Sequence, residues 1–331
     1  ILTGGNIDLS VGSVVCFVGA VGGVFMEKMG MPMPIAVILM LLLGAVIGAW
    51  QAVWIAYVHV PPFITTLSGM FVFRGLSNVV LGGQTLPIKN QAFVVLFGGG
   101  ANCYVPDILG GGEGMNRLAL VVGVVACVIF VVVTMKGYLN RKKKGYETGN
   151  VAAMYMKMIL ICAVILFITY KLAKYKGIPT SLVWVLIVVL IYGYITSKTT
   201  IGRYFYAVGG NEKATKLSGI NTERVYFLAY TNMGLLSALA GMLTIARLTS
   251  AQPTYGQNYE MDAIGSCFIG GASAYGGTGT VPGVIIGATL MGIINQGMSI
   301  MGTDQNMQKV VKGLVLLAAV IFDVVSKKRS E

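Results

Sequence analysis

A few ionisable and amide side chains stand within or beside long apolar runs, where an unpaired polar group is expensive, and they are the first candidates for chemistry. Asp8, followed two residues later by Ser10, could line a polar path or cap the helix that follows; its place at the edge of the run favours the cap. Arg74 lies inside the run 63–83 and must snorkel or find a carboxylate such as Asp8. Glu260 and Asp262 open the run 261–275 and read as interfacial caps. Asn295 and Gln296 sit in mid-run, where they either hydrogen-bond to neighbouring helices or face a substrate path. No catalytic or metal-binding set accompanies them. There is one histidine, His59, no HExxH, no cysteine-rich ligand set and no GxxxxGK[ST] phosphate loop. Polar groups of this kind hold helices together or line a passage; they do not make and break bonds.

The elements that must position them are membrane spans. Apolar residues make up 56% of the 331, charged residues 11%, and the mean hydropathy is +0.78. A soluble domain carries roughly 25% charged residues, so this chain cannot cover a water-facing surface. Apolar runs fall at 9–26, 35–58, 63–83, 118–135, 151–172, 178–196, 225–246, 261–275, 281–302 and 307–325. The chain therefore reads as an all-α polytopic membrane protein with about ten transmembrane or re-entrant helices, in one transmembrane domain over residues 1–331. The runs 63–83, broken by Arg74, and 261–275, broken by glycines, are the ones expected to be re-entrant if any are. Because it begins Ile1-Leu2-Thr3-Gly4-Gly5, the chain is expected to lack its natural start.

The net charge of +12 is no nucleic-acid signature, because Lys136, Arg141 to Lys144 and Lys327 to Arg329 cluster at span ends and face anionic lipid. Placing the loops 136–150 and 197–224 and the C-terminal tail in the cytoplasm satisfies the positive-inside rule, with Lys171, Lys174 and Lys176 as the exceptions. The glycine-rich stretch 84–117 is then an external loop, with room for a short surface helix or hairpin. Cys16, Cys103, Cys127, Cys162 and Cys267 have no ligand spacing and read as small buried hydrophobes. Trp50 and Trp54 read as packing or interfacial anchors. Gly283 and Gly287 form a small-xxx-small pair that admits a neighbouring helix.

The stretch 197–224 is unlike the rest. Between long apolar helices it carries Gly209, Gly210, Asn211, Glu212, Lys213, Ala214, Thr215, Lys216, Leu217, Ser218 and Gly219. Asn211 is a good N-cap, Glu212 and Lys216 have the favourable order for a helical ion pair, and Gly219 falls where a left-handed cap belongs. A helix of about two turns cannot stand alone. It needs something to rest on, and a soluble partner is the attractive candidate.

Three motifs complete the reading: Gly5-Asn6-Ile7-Asp8-Leu9-Ser10-Val11-Gly12-Ser13, Gly202-Arg203 through Asn211-Glu212-Lys213-Ala214 to Gly219-Ile220, and Ile269-Gly270-Gly271-Ala272-Ser273 with Gly276-Gly277-Thr278-Gly279-Thr280-Val281-Pro282-Gly283. In order and spacing the chain resembles, over nearly its whole length, the permease subunits of bacterial ABC importers for monosaccharides, the ribose, xylose and galactose group. The insert around Arg141 to Lys176 resembles the longer xylose or multiple-sugar branch. The resemblance implies a multi-pass protein of the bacterial inner membrane that forms a homodimer and takes sugar from a periplasmic or extracellular binding protein. A cytoplasmic ABC ATPase would drive it, with ATP and Mg on that partner and no cofactor on this chain. Residues 202–220 would be the coupling element, and Asp8, Ser10, Arg74, Asn295 and Gln296 candidates for the translocation path. An ion-coupled secondary transporter is the alternative; it would need ion-coordinating groups at membrane depth, for which Asp8 and Arg74 are the candidates.

Overall fold

A computed structural model describes residues 1–100, 103–110, 115–145 and 151–328, the last three without their side chains. Arg329, Gly111, Gly112 and the end of the basic loop 136–150 lie outside the described residues. In chain order the helices are α1 (Val11–Gly23, continued to Lys28 by a wider turn), α2 (Met33–Ala56), α3 (Pro62–Leu81), α4 (Gln91–Leu96), α5 (Arg117–Lys143) and α6 (Val151–Lys174). There follow α7 (Thr180–Lys198), α8 (Thr200–Gly210), α9 (Glu212–Leu217), α10 (Thr222–Arg247), α11 (Tyr259–Ile269), α12 (Val281–Ile300) and α13 (Gln305–Lys328). The only strands among the described residues are β1 (Leu86–Pro87) and β2 (Ser250–Ala251), paired antiparallel.

Eight of these helices are long and apolar enough to cross a membrane: α1 with its extension, α2, α3, α5, α6, α7, α10 and α12. The ten apolar runs of the sequence are all helical. Two of them are not simple apolar crossings. At 24 residues α13 has the length, but it carries Lys309, Lys312 and Asp323. Helix α11 has 11 residues, about 16 Å and so about half the ~30 Å hydrocarbon layer.

The chain forms two compact units, one of residues 1–100 with 184 onward and the other between them. In the larger unit α1, α2, α3 and α10 enclose a core of Val18, Met40, Phe73, Met242 and Ile245. Glycine sets the spacing of this bundle. A Cβ on Gly44 would lie 2.4 Å from the Gly234 carbonyl oxygen, and one on Gly234 would lie 2.1 Å from that of Gly44. At Gly48 it would meet Tyr230 O at 2.4 Å. Helices α2 and α10 thus touch backbone to backbone, the arrangement that small residues permit in lipid. The first part of the glycine-rich stretch 84–117, residues 84–100, is more ordered than its glycines suggest. Glu27 Oε1 accepts from Lys89 N at 2.7 Å, α4 is capped by Asn90, and Phe93 and Phe97 are buried. Gly99 lies so close to Ala246 O that a Cβ there would sit 1.7 Å away.

After β2 the chain turns down along α1. Ala251 lies beside Gly23, the Cys16 thiol faces the carbonyls of Gln252 (3.5 Å) and Pro253 (3.3 Å), and Gly256 O meets Gly12. Between Gly23 and Gly12 this is a descent of about 16 Å. Helix α11 begins at that depth and packs on α12 and α13. The run 261–275 is therefore a half-length helix entered by an irregular segment whose Ala251, Pro253 and Gly256 are buried against α1, as such backbone needs.

The smaller unit is an α5–α6 hairpin. Its start is tied down by Asp107, whose carboxylate accepts from Arg117 N at 2.9 Å and Leu118 N at 3.3 Å. Gly123 admits the Thr169 side chain, whose Oγ1 would lie 2.3 Å from a Cβ. Two of the lysines that break the positive-inside pattern sit over rings, Lys171 on Phe167 at 5.5 Å and Lys176 on Tyr104 at 5.9 Å.

Substituting Gly234→Ala should lower stability by about 1–3 kcal/mol through overpacking. Gly75→Ala, with open space around the added carbon, should hold or gain ~0.5–1 kcal/mol. Thermal unfolding in detergent measures both; equal effects would remove the backbone seam as the cause.

Candidate functional site

The polar stretch 197–224 folds as two short helices. Thr199 caps α8 by accepting from Gly202 N at 3.2 Å, and Gly202 lets the α7–α8 corner close, since a Cβ there would lie 2.3 Å from Ile195 O. Asn211 Oδ1 accepts from Ala214 N at 2.9 Å and starts α9; Gly219, at φ +83°, ends it. One expectation fails. Lys216 does not pair with Glu212 but reaches Glu223 at 3.6 Å, while Glu212 Oε2 accepts from the Tyr226 hydroxyl at 3.2 Å. The start of α10 competes for both charges at little cost, because an exposed pair contributes less than about 1 kcal/mol. Within α9 only Thr215 is buried; Leu217 is 90% exposed. The short helix rests on its own chain through Thr215 and offers the rest of its surface outward.

Beneath α9 the three sequence motifs meet. A Cβ on Gly209 would lie 1.7 Å from Thr3 O, the same oxygen that accepts from Gly277 N at 2.8 Å. One on Gly276 would lie 2.6 Å from Gly209 O and 2.8 Å from Gly5 N. The Tyr206 hydroxyl donates to Gly279 O at 2.8 Å. The segment before α1, the end of α8 and the loop between α11 and α12 thus form one backbone junction. Gly276 and Gly277 have φ of +81° and +73°, which strains any other residue. At Gly209, Gly276 and Gly277 these elements meet backbone on backbone, and the Tyr206 hydroxyl adds one side-chain tie beside them.

The polar groups of the apolar runs fall into three sets. Asp8 Oδ1 accepts from Ser10 N (2.8 Å) and Ser10 Oγ (2.7 Å), so it forms the turn before α1 rather than capping its first N–H groups. Ser10 Oγ also lies 3.1 Å from the Gln51 amide. The atom it faces is Gln51 Oε1, so Asp8 and Gln51 compete for the single Ser10 proton; Gly69 makes room for the Gln51 amide nitrogen. Arg74 does not pair with Asp8, because its Nη1 donates to the Tyr255 carbonyl at 2.6 Å and so holds the descending segment. Asn258, the residue before α11, makes no side-chain cap bond, Glu260 accepts backbone hydrogen bonds at Asn258 and its own N–H, and Asp262 is not a cap but turns to α12 and α13. Glu260 is buried against Gly12 with Oε2 lacking a hydrogen-bond partner. Asp262 Oδ2 accepts from Lys312 at 2.9 Å and from Asn295 Nδ2 at 3.3 Å, joining α11, α12 and α13. Asn295 therefore bonds between helices, and Gln296, its neighbour, is exposed. Gln51 and Lys312 lie outside the motifs, and their signal is a lone polar side chain in an apolar run; Tyr206 lies within the second motif without being singled out by it.

Broken helices held at depth by internal polar contacts, with a short helix set on their junction, define a multi-pass membrane transport protein. Residues 1–320 match the branched-chain amino acid transport system / permease component family, and the chain belongs to it. It is 34% identical to the xylose transport system permease protein XylH of Escherichia coli (strain K12), covering 100% of this chain and 81% of that protein. With XylH of Haemophilus influenzae it shares 36% identity over 99% of this chain and 84% of the relative. With the ribose import permease protein RbsC of E. coli (strain K12) it shares 34%, over 98% and 78%. No solved structure matches it.

The junction is tested within one pair of residues. Gly209→Ala should lower the unfolding temperature and speed hydrogen exchange at Gly277 N–H, at a cost of about 1–3 kcal/mol. Gly210→Ala, which meets nothing within 4 Å, should leave both unchanged.

Proposed function

We propose that this chain is the membrane-spanning subunit of an ATP-driven importer of a monosaccharide, set in the bacterial inner membrane. The observation that carries the coupling is the outward face of α9, with Leu217 bare at its tip, next to the glycine junction that touches both the segment before α1 and the α11–α12 loop. An exposed leucine flanked by Lys213 and Lys216 fits a shallow apolar groove with an acidic rim on a soluble subunit. That subunit is the cytoplasmic ATPase, which holds ATP and Mg. Residues Gly209 to Gly219 are its contact and lever. The permease brings no ATPase site of its own.

The relatives' names support a sugar cargo, and xylose and ribose are both aldopentoses. Delivery comes from an external binding protein. Two copies of the permease enclose the path. Asp8, Ser10, Arg74, Asn295 and Gln296 are assigned to it or to its walls: the first four set the helix positions, and Gln296 on the exposed side of α12 is the one free to meet a polar cargo.

Leu217→Asp should abolish copurification of the ATPase and cut uptake of labelled xylose or ribose about tenfold or more, the effect of ~1.4 kcal/mol or more of lost docking. The amount of permease in the membrane should not change. Uptake should also stop when the Walker lysine of the ATPase is substituted. Uptake that survives that substitution and falls with an ionophore would establish an ion-driven carrier instead.

A further inference from the structure

The chain descends about 16 Å along α1 from Gly23 to Gly12, and the 11 residues of α11 cover about 16 Å more. The irregular stretch 252–258 between them therefore lies near the middle of the ~30 Å hydrocarbon layer. Three contacts hold it. A Cβ on Gly12 would lie 2.2 Å from Gly256 O, Arg74 Nη1 donates to Tyr255 O at 2.6 Å, and the Tyr255 hydroxyl lies 2.7 Å from Ser250 Oγ. Pro253 and Gly256 are buried, whereas Thr254 and Gln257, each next to one of them, are exposed. The stretch thus has a side packed on its own chain and a polar edge turned away from it. Exposed positions within the spans are otherwise of another kind, such as Ile38, Leu42 and Val46 on α2 and Ile159, Leu160 and Val164 on α6. Those faces suit lipid. An amide and a hydroxyl on non-helical backbone do not, because such backbone persists at this depth only where protein buries it or where it lines a water-filled cavity. The fixed seams of this chain are glycine against carbonyl, so a bare amide edge is a poor candidate for another seam and a good one for a wet wall.

We propose that Thr254 and Gln257 line the water-filled passage at mid-membrane and that the Gln257 amide meets the hydroxyl groups of the cargo there. The amide offers two donors and an acceptor, and the Thr254 hydroxyl one donor and an acceptor, which matches a molecule whose every hydroxyl both donates and accepts. Neither group is charged, so a polyhydroxyl cargo is held and released without an ion pair to break. Arg74 and Gly12 fix the backbone at Tyr255 and Gly256, between the two side chains, and so set where both of them point. The inference rests on the permease reading above and gives its passage two residues.

The test uses the complete transporter, with its ATPase and binding protein. Thr254→Cys, Gln257→Cys and, as the lipid-facing control, Leu160→Cys are placed in lipid nanodiscs, where both membrane faces meet the reagent. They are treated with a permanently charged methanethiosulfonate, and peptide mass spectrometry separates the new label from that on native cysteines. Positions 254 and 257 should react about tenfold or more faster than position 160, because the reagent needs water to reach a thiol. Xylose or ribose with the binding protein should slow the reaction at 257. In proteoliposomes Gln257→Leu should lower uptake of labelled xylose or ribose about tenfold or more, with the amount of assembled complex unchanged by size exclusion. Gln257→Asn, which keeps the amide, should fall between that variant and the wild type. A position 257 as slow to react as position 160 overturns the proposal, whether lipid or a second copy of the chain covers the edge. Unchanged uptake by Gln257→Leu overturns the cargo contact. Wild-type uptake of neither sugar counts against the permease reading alone, since the labelling rates need no transport and still decide whether the edge meets water.

Discussion

Lipid offers helices no reward for hiding apolar side chains from one another, so what this chain depends on is the direct approach of one backbone to another. Glycine alone permits it. The contacts of Gly44 and Gly48 with α10, of Gly12 with Gly256, of Gly270 with Gly283 and of Gly209 with Thr3 are all of this kind. Each brings carbonyls and Cα atoms within the reach of dispersion and weak C–H···O contacts that a single methyl would abolish. The abundance of glycine, 45 residues, is thus spent on a few seams. Other glycines, such as Gly75, Gly193 and Gly292, meet nothing.

The second constraint follows from the first. Where backbones meet without side chains between them, polar groups can be satisfied inside the bundle, and a helix need not be apolar all round. Helix α13 shows this. Its charges would count against a membrane span, yet Lys312 is paired with Asp262, and Asp323 Oδ2 accepts from Ala274 N at 3.2 Å and Ser273 Oγ at 3.3 Å. The same logic lets the segment from Gln252 to Asn258 leave helical form. Its carbonyls face the Cys16 thiol and the Arg74 guanidinium rather than hydrocarbon.

Local signals in the sequence were legible because they act over a few residues. The Asn211 cap, the left-handed Gly219 and the apolar runs are each decided by neighbours within about one turn, and the structure repeats them. The three family motifs could be seen, but not that they meet, since contact between Thr3, Gly209 and Gly277 depends on how α1, α8 and α11 are placed. Partners of charged groups were the least legible. The i to i+4 spacing of Glu212 and Lys216 is a real preference of a few tenths of a kcal/mol. Tyr226 and Glu223, brought near by the turn into α10, outweigh it. Arg74 gave no hint that it would choose a carbonyl over a carboxylate, because Tyr255 is 181 residues away.

These choices bear on how a soluble motor can move a membrane path. A lever works if the joint it presses is stiffer than the joint that must open. Around Gly209 and Gly276 the joint is mainly backbone on backbone, with few rotamers to absorb a displacement. Toward α1 and α3 the segment around Tyr255 and Gly256 is held by a close approach at Gly12 and by the Arg74 side chain hydrogen-bonded to a carbonyl. On the proposed coupling, the glycine contacts nearest α9 would transmit a displacement with little loss, whereas a seam of side chains there would absorb it through their rotamers before it reached α11.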